Sequence, residues 1–153
     1  MILLKLHIRQ ATLGDLEAIK VLADTHRAEL GFVLRPALAT DIERGWILVA
    51  ELPEQGVIGF VHYRNRLDSQ TTLYEICVRA DCRRCGVGSA LVKRLSEEAS
   101  ALGKTHIRLK APIELPANCF YQTTGFILTD TEPGKHRLLN VWTYPLSYRE
   151  PGA

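Results

Sequence analysis

Apolar and polar positions alternate through the stretch that ends in LKLHIR, residues 3–9, and predict a first strand. Thr12 then stands where a helix N-cap belongs, with Asp15 three residues on, and Leu16, Ile19 and Leu22 follow at helical spacing. Gly31 is the expected stop of that helix, and Pro36 opens a second one that ends near Gly45. WILVAEL (46–52) reads as a buried strand, PEQG as a turn, and VIGFVHYRNRL (57–67) as a long returning strand in which Gly59 marks a bulge. DSQ turns the chain again into TTLYEICVR (71–79), so three strands form an antiparallel meander. Helical periodicity resumes after Gly86 with Val87, Leu91, Leu95 and Leu102, flanked by Ala90 and Ala99, and Gly103 is the expected C-cap. HIRLK (106–110) is a short strand, PANCFYQTT a short helix between Pro116 and Gly125, and FILTD and HRLLNVWTYPL two closing strands. The order β-αα-βββ-α-β-α-ββ predicts an α/β fold, a mixed and mostly antiparallel central sheet flanked by helices, in a single domain over residues 1–153.

Composition changes this picture little. A chain of 153 residues with 46% apolar and 24% charged positions can bury a core without disulfides or metal. A net charge of +2 is too small for nucleic-acid binding by bulk charge, so no nucleic-acid partner is expected. No apolar run approaches the ~20 residues of a membrane span, and the opening MILLKLHIRQ reads as a strand rather than a signal peptide. REPGA reads as a frayed tail. Cys77, Cys82, Cys85 and Cys119 are expected to be cytoplasmic thiols.

Candidate chemistry concentrates in RRCGVGSALVKRL, residues 83–95, where two glycines behind two arginines open a helix. A helix N-terminus exposes unpaired N–H groups and partial positive charge, and glycines let a phosphate approach the backbone. Arg83 and Arg84 add charge where an anion would sit. The nucleotide-triphosphate loop pattern is absent, since Gly88 is followed by SALVK. The dinucleotide fingerprint fails as well, because GVGSAL ends in Leu91 and no βαβ unit opens the chain.

Arg83-Arg84-Cys85-Gly86-Val87-Gly88 resembles the Arg/Gln-x-x-Gly-x-Gly/Ala signature of the GNAT superfamily of N-acetyltransferases. EICVRADCR, ahead of it, resembles the family's fourth strand, and FYQTTGF (120–126) the aromatic-Tyr-x-x-x-Gly-Phe ending that follows the fifth. IRQATLGDLEAI looks like the first strand and helix, so the resemblance covers about residues 6–146. It implies that acetyl-coenzyme A is the co-substrate, that the amides from Cys85 through Gly86, Val87 and Gly88 to Ser89 hold its pyrophosphate with Arg83 and Arg84, and that the backbone of Ile76, Cys77 and Val78 pairs with the pantetheine arm. By the same resemblance Asn118 sits near the end of that arm; the bland alternative is a helix N-terminal residue.

Acetyl transfer to an amine needs a group to take the amine proton, a donor for the developing oxyanion and an acid for the thiolate. The resemblance implies Tyr121 as that acid, since a phenol is protonated at neutral pH; the alternative is a core tyrosine. It implies Glu75 as the base, directly or through water, and the N–H near Val78 as the oxyanion donor. A glutamate inside a central strand is costly to bury without a partner, so the alternative for Glu75 is a salt bridge with Arg64 or Arg66.

Other signals carry less. Cys82-Arg83-Arg84-Cys85 has C-x-x-C spacing, but no second pair or spaced histidines complete a metal site, and none is expected. Cys119 reads as a packing thiol, Glu97 and Glu98 as a solvated helix face, and His7, His26, His62, His106 and His136 form no motif, with His62 and His106 read as strand residues. The resemblance implies an acceptor lying against the first two helices, the loop between them and the late hairpin. That loop, ELGFVLRP (29–36), offers apolar surface at Phe32, Val33 and Leu34, and Glu29, like Asp41, could attract a cationic amine, the alternative being local packing of the two helices. Small amine, amino acid, protein N-terminus and lysine side chain all stay open, as do monomer and homodimer and a non-catalytic acyl-coenzyme A binding module on the same fold.

Overall fold

The structure, a computed structural model, describes residues 5–26 and 33–147. Residues 3 and 4 of the first predicted strand, the expected helix stop at Gly31 and the tail from residue 148 lie outside the described residues. The strands are β1 (His7–Gln10), β2 (Ile47–Leu52), β3 (Gly56–Asn65), β4 (Gln70–Val78), β5 (His106–Pro112), β6 (Ile127–Pro133) and β7 (Leu138–Pro145). The helices are α1 (Leu16–Thr25), α2 (Arg35–Glu43), α3 (Val87–Ala101) and α4 (Ala117–Thr124). The strands form a sheet in the order β1-β2-β3-β4-β5-β7-β6. Its β4–β5 ladder is parallel, and β1–β2, β2–β3, β5–β7 and β6–β7 are antiparallel. This is the α/β fold with a mostly antiparallel sheet that the pattern predicts. The chain divides into two compact units, Met1–Tyr63 with Glu75–Leu95, and Arg64–Tyr74 with Ser96–Ala153.

In the first unit, Ile19 and Leu22 of α1 and Leu38 and Ile42 of α2 pack with Ile47, Val49 and Phe60 of the sheet, all fully or nearly buried. Each such side chain contributes about 1.5–3 kcal/mol on leaving water. The predicted cap closes a 3₁₀ turn, Leu13–Asp15, that leads into α1, rather than α1 itself: the Thr12 N–H donates to Asp15 Oδ2 at 2.8 Å. Arg9 of β1 clamps the same carboxylate, with Nη1 2.7 Å from Oδ2 and Nη2 2.9 Å from Oδ1. The predicted bulge appears next to Gly59: Ala50 pairs Gly59 but Glu51 pairs Val57, leaving Ile58 as the extra residue. Gly59 is there for closeness, because a Cβ would lie 3.0 Å from the Cys77 carbonyl oxygen and 3.4 Å from Val87 Cγ1.

In the second unit, β5, β7 and β6 form an antiparallel ladder. Gly125 ends α4 in a left-handed conformation, φ 114°, and the Phe126 N–H donates to Tyr121 O at 3.0 Å. Two expectations fail. The apolar stripe of α3 stops before Leu102, which lies past the helix end and is 62% exposed. Cys119 is exposed rather than packed, because the inward positions of α4 go to Tyr121. Among the described residues, no helix is long and apolar enough to cross a membrane.

Candidate active site

A single turn of 3₁₀ helix, Ala80–Cys82, follows β4 and leads into the glycine loop. Two residues of that loop take left-handed backbone, Arg84 at φ 63° and Gly86 at φ 84°. Glycine adopts this freely; a non-glycine residue does so at a cost that clusters at functional sites. The Ala90 N–H donates to Gly86 O at 3.0 Å. That is the first bond of α3, so the amides of Val87, Gly88 and Ser89 precede it and have no carbonyl one turn back. Ser89 and Arg84 are exposed, while Cys85 and Gly88 are half-buried. Arg83 is turned back onto the strand end, with Nε donating to Val78 O at 3.3 Å and its guanidinium meeting the His26 ring. The other cysteine of the C-x-x-C pair, Cys82, is buried, which pushes its thiol upward.

On β4, the side chain of Cys77 is buried beside α1, with Sγ 3.1 Å from His26 Nδ1 and donating to Leu22 O at 3.6 Å. Ile76 and Val78 are half-buried. Glu75 has a partner on the neighbouring strand, and it is a histidine: Oε1 lies 3.3 Å from His62 Nδ1. The other ring nitrogen, Nε2, lies 2.9 Å from Asp41 Oδ2 on α2. The side chains of Asp41, His62 and Glu75 are only 22, 17 and 11% exposed. His62 thus does more than fill a strand position. Arg66, one of the two arginines weighed as partners for Glu75, sits 3.5 Å from Asp68. Among the described residues no group of three or more histidine, cysteine or acidic side chains could hold a metal ion. The geometry explains why Asp41, His62 and Glu75 are not one, since the carboxylates meet different nitrogens of one ring and share no centre.

Of the expected acceptor surface, Glu29 and Phe32 lie outside the described residues. Leu34 is 58% exposed at the N-cap of α2, and the Val33 carbonyl accepts from Lys20 Nζ at 2.7 Å.

In the second unit, Tyr121 is buried on α4 within an aromatic cluster, its ring centroid 5.7 Å from Phe120, 5.8 Å from Phe126 and 6.3 Å from Trp142. Asn118 ties the loop before α4 to β7. Its Nδ2 donates to Pro112 O at 2.9 Å, Leu115 O at 2.8 Å and Ile113 O at 3.3 Å. Its Oδ1 accepts from Trp142 Nε1 at 2.8 Å and Asn140 Nδ2 at 3.2 Å.

A family model described as an acetyltransferase (GNAT) domain matches residues 43–128, more than half of the chain. The chain belongs to the GNAT acetyltransferase family. The matched stretch contains β4, the glycine loop, α3 and α4. Solved structures agree on the fold. Ard1 from Thermoplasma volcanium superposes with a TM-score of 0.82 at 19% identity, over 94% of this chain and 99% of that one. The PaiA N-acetyltransferase of Thermoplasma acidophilum, solved with coenzyme A, gives 0.78 at 17% identity over 92% and 98%. YncA of Salmonella typhimurium, solved with its cofactor acetyl-CoA, gives 0.76 at 20% identity over 97% and 98%. No curated protein sequence matches the chain.

Proposed function

We propose that this member of the GNAT family is an N-acetyltransferase that moves the acetyl group of acetyl-coenzyme A to a primary amine by direct attack in a ternary complex. The observation that carries the reading is the loop before α3: left-handed Arg84 and Gly86 set the amides of Val87, Gly88 and Ser89 at the mouth of a fifteen-residue helix. That arrangement suits a pyrophosphate, with the helix dipole and exposed Arg84 supplying positive charge. Acetyl-coenzyme A supplies an activated acyl thioester.

The chain's residues do the rest. Glu75 takes a proton from the acceptor ammonium, freeing the lone pair that forms the new C–N bond. The Val78 N–H donates to the charge that grows on the acyl oxygen. The Tyr121 hydroxyl gives its proton to the departing sulfur as the C–S bond breaks, and the second proton shed by the newly acylated nitrogen restores the phenol. Ile76, Cys77 and Val78 offer strand backbone to the pantetheine arm. Asn118 lies near the end of that arm in this reading and shapes the site by holding the loop before α4 to β7, its amide being already engaged with Pro112, Leu115, Trp142 and Asn140. The thiols of Cys77, Cys82, Cys85 and Cys119 suit a reducing cytoplasm.

The test joins binding to turnover. Gly88→Glu places a carboxylate against the pyrophosphate site, and calorimetry with acetyl-coenzyme A should show binding lost in a protein that still melts cooperatively. Tyr121→Phe should keep that affinity and lower turnover by about 10²–10⁴-fold on a panel of diamines, amino-acid amides and short peptides. Unchanged affinity in the first variant removes the loop from the site. Binding without acetylation of any panel member favours a non-catalytic acyl-coenzyme A module.

A further inference from the structure

Glu75 is not an isolated carboxylate. Asp41 on α2, His62 on β3 and Glu75 on β4 meet as carboxylate–imidazole–carboxylate, each side chain mostly withdrawn from water. A neutral imidazole has one N–H donor and one lone-pair nitrogen, so it can donate to only one of two carboxylates. The two contacts are unequal. Nε2 to Asp41 Oδ2 is 2.9 Å, within the range of a charge-assisted N–H···O⁻ bond, whereas Nδ1 to Glu75 Oε1 is 3.3 Å and outside it. The shorter contact favours the tautomer with its proton on Nε2, held by Asp41, which leaves the Nδ1 lone pair on the side of Glu75.

We propose that Asp41 and His62 are positioning residues behind Glu75, and that Nδ1 of His62 is where the acceptor's proton comes to rest. This deepens the assignment of Glu75 as base and rests on it. The N–H bond of the acceptor ammonium breaks and its proton passes to a Glu75 oxygen. The same proton moves on to His62 Nδ1, which returns Glu75 to its carboxylate form. The acceptor is now a neutral amine, and the imidazolium lies between two carboxylates, so both contacts become attractive. Total charge is conserved and no further reactant is needed. Asp41 fixes the tautomer and balances the charge of the imidazolium, the part a third group plays behind any nucleophile-and-base pair. After the amide product leaves, the proton returns through Glu75 to water.

The test uses the full chain, acetyl-coenzyme A and the fastest amine of the panel above. His62→Ala should lower kcat by about ten- to a hundredfold with KM within about twofold, and added imidazole should restore at least about tenfold of the loss. Asp41→Asn should lower kcat by less, and Glu75→Gln by about 10²–10⁴-fold with no recovery in imidazole. A second readout needs no substrate: ¹⁵N spectra of histidine-labelled protein at about pH 8, where an ordinary imidazole is neutral, should show the proton of His62 on Nε2 and that preference weakened in Asp41→Asn. A proton on Nδ1 overturns the proposal even where His62→Ala does not fold. Loss of activity in Glu75→Gln beside full kcat in His62→Ala overturns the relay and leaves Glu75 as base. Full activity in Glu75→Gln overturns the base itself.

Discussion

Two places in the first unit hold one basic side chain between two carboxylates, and they behave differently. In the first, Arg9 bridges Asp15 and Glu51, with Nε 2.9 Å from Glu51 Oε1 and Nη1 2.7 Å from Asp15 Oδ2. In the second, His62 bridges Asp41 and Glu75. Arginine keeps its charge at every working pH and presents a rigid fork, so the first cluster is a fixed clamp between β1, β2 and the start of α1. Its hydrogen bonds to Asp15 and Glu51 hold both carboxyl groups below the usual carboxylate range. Imidazole is the side chain that trades a proton near neutrality and has only two ring nitrogens to offer. The arrangement of charges is alike in the two clusters. The identity of the central group makes one a fastener and the other a place where a proton can move.

That contrast breaks most readily at Arg9. Arg9→Met keeps much of the stem and leaves Asp15 and Glu51 without their shared partner. The loss of charged hydrogen bonds from a partly buried site should cost about 2 kcal/mol, lowering Tm by roughly 4–8 °C. Turnover at a temperature where the variant is folded should stay within about twofold of wild type. His62→Ala should show the opposite pattern, with kcat moved far more than Tm. If both variants lose stability and neither loses turnover, the two clusters are alike and the contrast is gone.

How much of this was legible beforehand follows from the range over which each signal acts. The loop at Gly86 and Gly88, the cap at Thr12 and Asp15 and the stop at Gly125 were readable because glycine, threonine and aspartate act on their own few residues of backbone. The strand order up to β4 was readable because alternation and short turns dictate a meander. The partner of Glu75 was missed for the opposite reason: His62 and Asp41 are 13 and 34 positions away, and no periodicity links them. Half of the signal was present. The turn at Asp68 has His62 six residues before it and Glu75 seven after, so folding the hairpin about DSQ brings the two near the same level. Asp41 had no such cue, since its place depends on how α2 packs on the sheet. Leu102 misled because helical spacing continues in the sequence past Ala101, where the helix ends.

Acid sharpens the contrast further. The carboxyls of Asp15 and Glu51 are lowered on folding, so their contribution is present above their unfolded values, about 3.9 and 4.3, and is lost as pH falls through the lower folded values. The stability gap between wild type and Arg9→Met should therefore be constant above about pH 5 and narrow below about pH 4. Denaturant melts at about pH 7, 5, 4 and 3 measure it. A gap that keeps its size to about pH 3 would mean that Arg9 acts through packing of its stem rather than through these carboxylates.

The smallest effect belongs to a third ion pair in the same unit, and it sets the scale for the other two. Arg35 at the start of α2 donates to Glu17 near the start of α1, Nε to Oε1 at 2.7 Å, a contact as short as those of Arg9. Both side chains are more than half exposed, 57 and 67%. Water and salt screen such a pair, and holding two long side chains in one geometry cancels most of the attraction. Arg35→Ala should leave Tm within the scatter of repeated melts, and raising the salt should not move the difference. If Arg35→Ala instead lowers Tm as much as Arg9→Met does, length of contact rather than burial governs these clusters, and the low exposure of Asp15 would no longer explain why Arg9 matters.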